Sequence, residues 1–156
     1  MRSKYIAKKL IFILLIGSCA TSIAAPSSPA EFTDIFSNWK VYSATGDCGG
    51  QTLTLVRDNK ARIIRGYLQT YEGNCEDTKT PIENIQLNSK KRGFSFTAAT
   101  YVQDGKGGLE ISAERRFRGT LGKTRVKGEI EYCPINSETC NSSESVVLLA
   151  VVRGTL

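Results

Sequence analysis

From Ile35 to Gly154 the chain divides into short stretches in which apolar and polar residues alternate, and the connections between them alternate in length. A period of two belongs to an extended strand with one face buried, whereas a helix needs a period near 3.6. β-Branched and aromatic residues fill the stretches, and Gly, Asn and Asp clusters end them. The pattern predicts eight strands, at Ile35–Ser43, Gln51–Arg57, Ala61–Thr70, Ile82–Asn88, Gly93–Gln103, Gly108–Leu121, Thr124–Tyr132 and Ser145–Gly154. "DN" in "RDNK", "SKKR" and "GK" in "LGKT" read as tight hairpin turns. "ATGDCGG", "YEGNCEDTKTP", "DGKGG" and "CPINSETCNSSE" are longer. In an up-and-down meander odd and even connections lie at opposite ends, so the tight turns gather at one end and the long loops at the other. An eight-stranded antiparallel sheet of this kind removes its open edges by closing into a barrel. The expected fold class is therefore all-β, an eight-stranded antiparallel meander barrel preceded by a signal helix.

The start, "MRSKYIAKKLIFILLIGSCATSIAA", has four basic residues, then an apolar run from Leu10 to Ile16, then small residues. The run is short for a membrane span and suits a secretory signal. Cleavage after Ala24 satisfies the small-x-small rule, which divides the chain into a signal at 1–24, a linker at 25–33 and a barrel domain at 34–156. "LLIGSC" resembles a bacterial lipoprotein box, which would end the signal before Cys19 and make that cysteine the lipidated N-terminus; the alternative is a chance cysteine in a discarded segment. The expected location is extracytoplasmic: periplasm or outer membrane in a bacterium, otherwise secreted.

Export also changes the charge. The whole chain carries 21 basic and 15 acidic residues; without the four basic residues of the signal, 17 against 15 leaves +2. So small a surplus argues against general nucleic-acid binding. The only membrane association expected is through a lipid anchor.

Four of the five cysteines, Cys48, Cys75, Cys133 and Cys140, lie in the exported part, in or beside the long loops. An oxidising compartment favours two disulfides, each worth ~2–4 kcal/mol. Loop proximity favours 48–75 with 133–140, and the crossed pairing 48–140 with 75–133 stays open because a closed barrel brings first and last loops together.

"RGTL" occurs at Arg118–Leu121 and again at Arg153–Leu156, with looser copies in "IIRGYL" around Gly66 and "RVKGEI" around Gly128. A phosphate cradle needs a strand-to-helix turn, which is missing here. The pattern reads instead as inward glycine flanked by outward charge. Pairing Leu121 with Thr124 across the "GK" turn would set Phe117 against Gly128 and Gly119 against Val126. It would also set Arg116 against Glu129 and Arg118 against Lys127. The inward glycines are expected to leave room inside the barrel.

The chain has no histidine, which removes the usual base of serine and cysteine hydrolases and the commonest zinc ligand. It has no CxxC pair, and the carboxylate pairs Glu110/Glu114 and Glu129/Glu131 read as solvated strand faces. "DGKGG" is too poor in carboxylates for an EF-type calcium loop. No enzyme activity, metal or cofactor is expected. Strand parity puts Arg115 inside, where it needs a carboxylate partner, unless a bulge in "AERRF" turns it outward. Tyr67, Tyr101 and Tyr132 lie near strand ends and can line a rim or pack against neighbours.

"NWKVYSATG", "LTL" and "IIRGYL" resemble the opening of small calycin-type barrels, the lipocalin and avidin groups. In lipocalins an Arg late in the chain packs over a Trp of the first strand, and the resemblance implies these parts for Trp39 and Arg153. It implies a binding barrel and names no ligand. The candidate ligand-binding residues are Trp39, Tyr67, Tyr101, Arg115 and Tyr132, for a small apolar or amphipathic molecule at the open end. An interior filled by Phe94, Phe96, Phe117 and leucines would defeat the internal version of that reading. The alternative is a protein-binding envelope module, such as a periplasmic enzyme inhibitor or a surface lipoprotein, facing an envelope or host protein.

Overall fold

The structure is a computed structural model and describes residues 30–73, 75, 79–88, 92–103, 105–135, 137 and 139–154. The expected signal, its helix and Cys19 lie outside the described residues. Nine strand segments form one antiparallel sheet: β1 (Phe32–Ser37), β2 (Lys40–Val41), β3 (Cys48–Arg57), β4 (Ile63–Gly73), β5 (Thr80–Asn88), β6 (Gly93–Gln103), β7 (Leu109–Leu121), β8 (Arg125–Pro134) and β9 (Ser142–Val152). Each pairs with the next along the chain from β2 to β9, and β1 pairs with both β3 and β9, so the sheet closes. β1 and β2 are two halves of one strand on β3, in continuous register from Ser37↔Thr52 to Lys40↔Gly49. The result is the expected eight-stranded up-and-down barrel, consistent with a calycin-like fold.

The first strand is interrupted at Asn38 and Trp39 for a local reason. The Asn38 side-chain Oδ1 accepts the Gln51 N–H at 2.6 Å, taking the place of a backbone carbonyl. On β3, Gly50 has φ +104° and a Cβ there would lie 2.7 Å from the Asn38 carbonyl oxygen, so the crossing needs glycine. β1 also starts at Phe32, two residues before the expected domain boundary.

The turn between β3 and β4 is wider than two residues because Asp58 organises it. Its Oδ1 accepts the Lys60 and Arg62 N–H groups, both at 2.9 Å, and Ala61 takes a positive φ. The β7–β8 turn is also wider: the Gly122 N–H donates to the Arg125 carbonyl at 2.9 Å, and Leu121 faces Val126 instead of Thr124. The register is therefore two residues from the expected one. Phe117 faces Ile130, Gly119 faces Gly128, Arg116 faces Glu131 and Arg118 faces Glu129, which removes the like-charge contact between Arg118 and Lys127. A slip of two preserves the face of every side chain, so the pattern of alternation cannot detect it.

The glycines do not leave internal space. Added Cβ atoms on Gly119 and Gly128 would lie 2.8 and 2.7 Å from Cζ of Phe117, and one on Gly66 would lie 2.7 Å from Cδ1 of Ile82. Gly154 packs against Phe32 beyond the end of β9. Phe94, Phe96 and Phe117 pack with rings 5.1–5.8 Å apart, joined by Phe36, Leu53, Leu55 and Leu148. Midway along the barrel the interior is a solid hydrophobic core. At roughly 1.5–3 kcal/mol for each large apolar side chain buried, this core is the main source of stability.

Candidate functional site

Above the core, six strands change character at one level. On the inward-facing column of each strand, the step of two residues toward the long-loop end runs Leu53 to Gln51, Leu68 to Thr70 and Ala98 to Thr100. It runs Phe117 to Arg115, Ile130 to Tyr132 and Val146 to Glu144 on the others. All six polar residues line one cavity of about 620 Å³ at the mouth, with Tyr42, Tyr71 and Glu72 at its edge.

Three atoms in this ring lack a hydrogen-bond partner although each is buried: Gln51 Oε1, Thr70 Oγ1 and Thr100 Oγ1. Gln51 is 5% exposed. Buried polar groups of this kind are satisfied almost everywhere in folded proteins, by protein, ordered water or ligand. Arg115 points inward as strand parity requires; the register shift in this region lies in β7 just before "AERRF", where Thr100 and Tyr101 pair with Ala113 and Ile111 and Ser112 is skipped. The Arg115 side chain is 20% exposed and Nη2 donates to Glu72 Oε1 at 2.8 Å, which supplies the carboxylate partner. Glu72 stands out at the rim, so the guanidinium is held by a solvated partner and has further donors.

Two disulfides fix this rim, Cys48–Cys75 and Cys133–Cys140, the uncrossed pairing. Disulfides form and persist in oxidising environments, which accords with the expected extracytoplasmic location. Glu131 lies beside the second bridge, but its cysteines carry no free thiolate and cannot bind a metal in that state.

The five candidate binding residues separate. Arg115 and Tyr132 line the mouth cavity. Tyr101 lines an adjoining cavity of about 230 Å³ that shares Thr70, Thr100 and Arg115 with it. Trp39 lies outside, with its ring centroid 5.9 Å from that of Tyr71, against an outer groove. Tyr67, between the inward Gly66 and Leu68, faces outward in the middle of β4. The lipocalin-like stack of Arg153 on Trp39 does not form. Arg153 turns to the Lys123 carbonyl and lies 3.9 Å from Asp34, at the other end of β1. Gln51, Thr70, Thr100, Glu72 and Glu144 were not among the expected site residues. Their signal was present in the sequence as a switch from apolar to polar within the same inward parity.

In comparisons with protein-family models, curated proteins and solved structures, the chain matches none of them.

Proposed function

We propose that the protein is a non-enzymatic, extracytoplasmic binding barrel whose mouth takes the polar head of a small amphipathic molecule. The observation that carries this reading is the level ring of Gln51, Thr70, Thr100, Arg115, Tyr132 and Glu144, three of whose members hold buried polar atoms without partners. A purely apolar ligand inside the barrel is disfavoured by the packed core beneath. The ring offers hydroxyls, an amide, a guanidinium and a carboxylate, a set suited to a head group rich in hydroxyls and amides. Pockets that bind small molecules combine apolar contact with a few convergent polar groups. Here the apolar part falls to the rim, where Trp39, Val41, Tyr42, Tyr101, Leu109 and Ile135 are exposed.

Saturation-transfer NMR against a panel of alkyl glycosides and N-acyl amino sugars tests this directly. At least one should give transfer that is lost in Gln51→Leu and in Arg115→Leu, with the free sugar binding more weakly than its alkyl form. Binding of a fluorescent fatty acid that survives both substitutions, with no signal from the panel, would sink it.

A second reading is favoured by the same rim. Two disulfides at the rim, beside exposed apolar side chains, restrain the chain where they join it, and such restraint lowers the entropic cost of protein association. A partner inserting one polar side chain into the mouth would make the chain an envelope module or enzyme inhibitor. Pull-down from envelope extract that is blocked by mouth substitutions, with no small-molecule signal, selects that reading.

A further inference from the structure

The opposite, tight-turn end holds a second cavity of about 760 Å³. Among the described residues five cations line it: Arg57 at the end of β3, Arg92 before β6, Lys123 in the β7–β8 turn, Arg125 at the start of β8, and Arg153 after β9. Among the described lining residues Asp34 is the one acid, so five positive charges face one negative charge and their formal surplus is +4. The other described acids at this end are already engaged, Glu31 with Arg65 and Asp58 with Arg62.

Asp34 is 5% exposed and holds the floor of the cavity together. It lies 2.9 Å from Arg57 Nη2 and 3.9 Å from Arg153 Nε, and its Oδ1 accepts the Gly154 N–H at 3.2 Å. Arg57 remains under-satisfied. Its side chain is 16% exposed, and its Nε–H is buried without a partner. A buried donor in a concave, strongly positive site is unfavourable without an acceptor.

We propose that this end of the barrel is an anion site that takes a phosphate group. Guanidinium groups converging on a concavity match the tetrahedral oxygens of phosphate and bind them by charge-assisted, bidentate hydrogen bonds. The cations are gathered around one hollow and not spread along a stripe, as a nucleic-acid backbone would require. The phosphate can belong to a soluble compound or to an anionic lipid head, since both offer the same oxygens.

The disulfide-bonded protein is titrated with inorganic phosphate and pyrophosphate against chloride at matched ionic strength, reading the melting temperature. In a second arm it is sedimented with phosphatidylglycerol vesicles and with phosphatidylcholine vesicles. Stabilisation beyond that by chloride identifies a soluble phosphate ligand. Sedimentation with phosphatidylglycerol alone identifies a lipid head group. Binding in either arm should weaken about tenfold or more in the Lys123→Ala/Arg125→Ala double variant and in Arg92→Ala, neither of which removes a partner of Asp34. Circular dichroism verifies that each variant is folded. No response beyond the chloride and phosphatidylcholine controls, or a response unchanged in both variants, overturns the site.

Discussion

Gly119 and Gly128 face each other directly across β7 and β8, and the ring of Phe117 occupies the space that both side chains would take. A Cβ on Gly119 would also lie 2.2 Å from the Lys127 carbonyl oxygen, which is backbone and cannot rotate away. Gly119→Ala should therefore destabilise at the upper end of the ~1–3 kcal/mol typical of overpacking. Adding Gly128→Ala should give a total that differs from the sum of the two single effects, because the sites share Phe117. Phe117→Ala should cost ~3–5 kcal/mol. Urea denaturation of the four variants measures all of these.

The ion pair between Arg115 and Glu72 is asymmetric, with the arginine mostly enclosed and the glutamate in solvent. Glu72→Gln should change stability by no more than ~1 kcal/mol, as for other exposed pairs. It frees a guanidinium in the mouth. Isothermal titration should therefore show tighter mouth binding of an alkyl uronate, an anionic amphiphile, in Glu72→Gln than in the parent protein.

Arg62 beside Asp58 holds the Asp58 carboxyl below the usual carboxylate range, chiefly through the side-chain hydrogen bond; burial opposes this as the next effect in size, and the backbone N–H groups of Arg62 and Lys60 lower it further. A depressed folded-state value means stability that is present above the unfolded-state value and disappears as pH falls through the folded one. Asp58→Asn should melt at a lower temperature than the parent at neutral pH. The difference should narrow as the pH drops below about 4, and melting curves from pH 7 to pH 2 follow it.

The two disulfides close loops of different length, 27 residues of separation for Cys48–Cys75 and 7 for Cys133–Cys140. On loop-closure entropy the first stabilises by ~3.5 kcal/mol and the second by ~2.3 kcal/mol. Paired Cys→Ala variants should keep that order in chemical denaturation. Reversal of the order would show that native-state packing at the second bridge outweighs the chain-entropy effect.

Strand identity was readable from alternation: β6 spans the predicted Gly93–Gln103, and β7 differs from its predicted span by one residue. Three features escaped for separate reasons. Asn38 breaks the first strand because a side-chain oxygen replaces a backbone one, which periodicity does not register. The β7–β8 pairing slips by two because that shift keeps every residue on its face. The glycines were read as internal space, although Phe117 and Ile82 reach back over them, and a long side chain covers more than its own position in the strand. Of the mouth, Arg115 followed from parity alone. Gln51, Thr70 and Thr100 required noticing that several strands lose hydrophobicity at one height, which needs the pairing as well as the pattern.

The contact of Gly154 with Phe32 brings the first and last described strands together at the tight-turn end. The first strand therefore begins, and the last ends, on the side of the basic hollow, and the disulfide-rimmed opening lies at the opposite end. A tether of any chemistry on the amino-terminal side would turn the arginine-lined base toward the surface that holds it and leave the hydroxyl-lined cup open to the surroundings. One wall would then have two addresses, one facing its support and one facing whatever diffuses past.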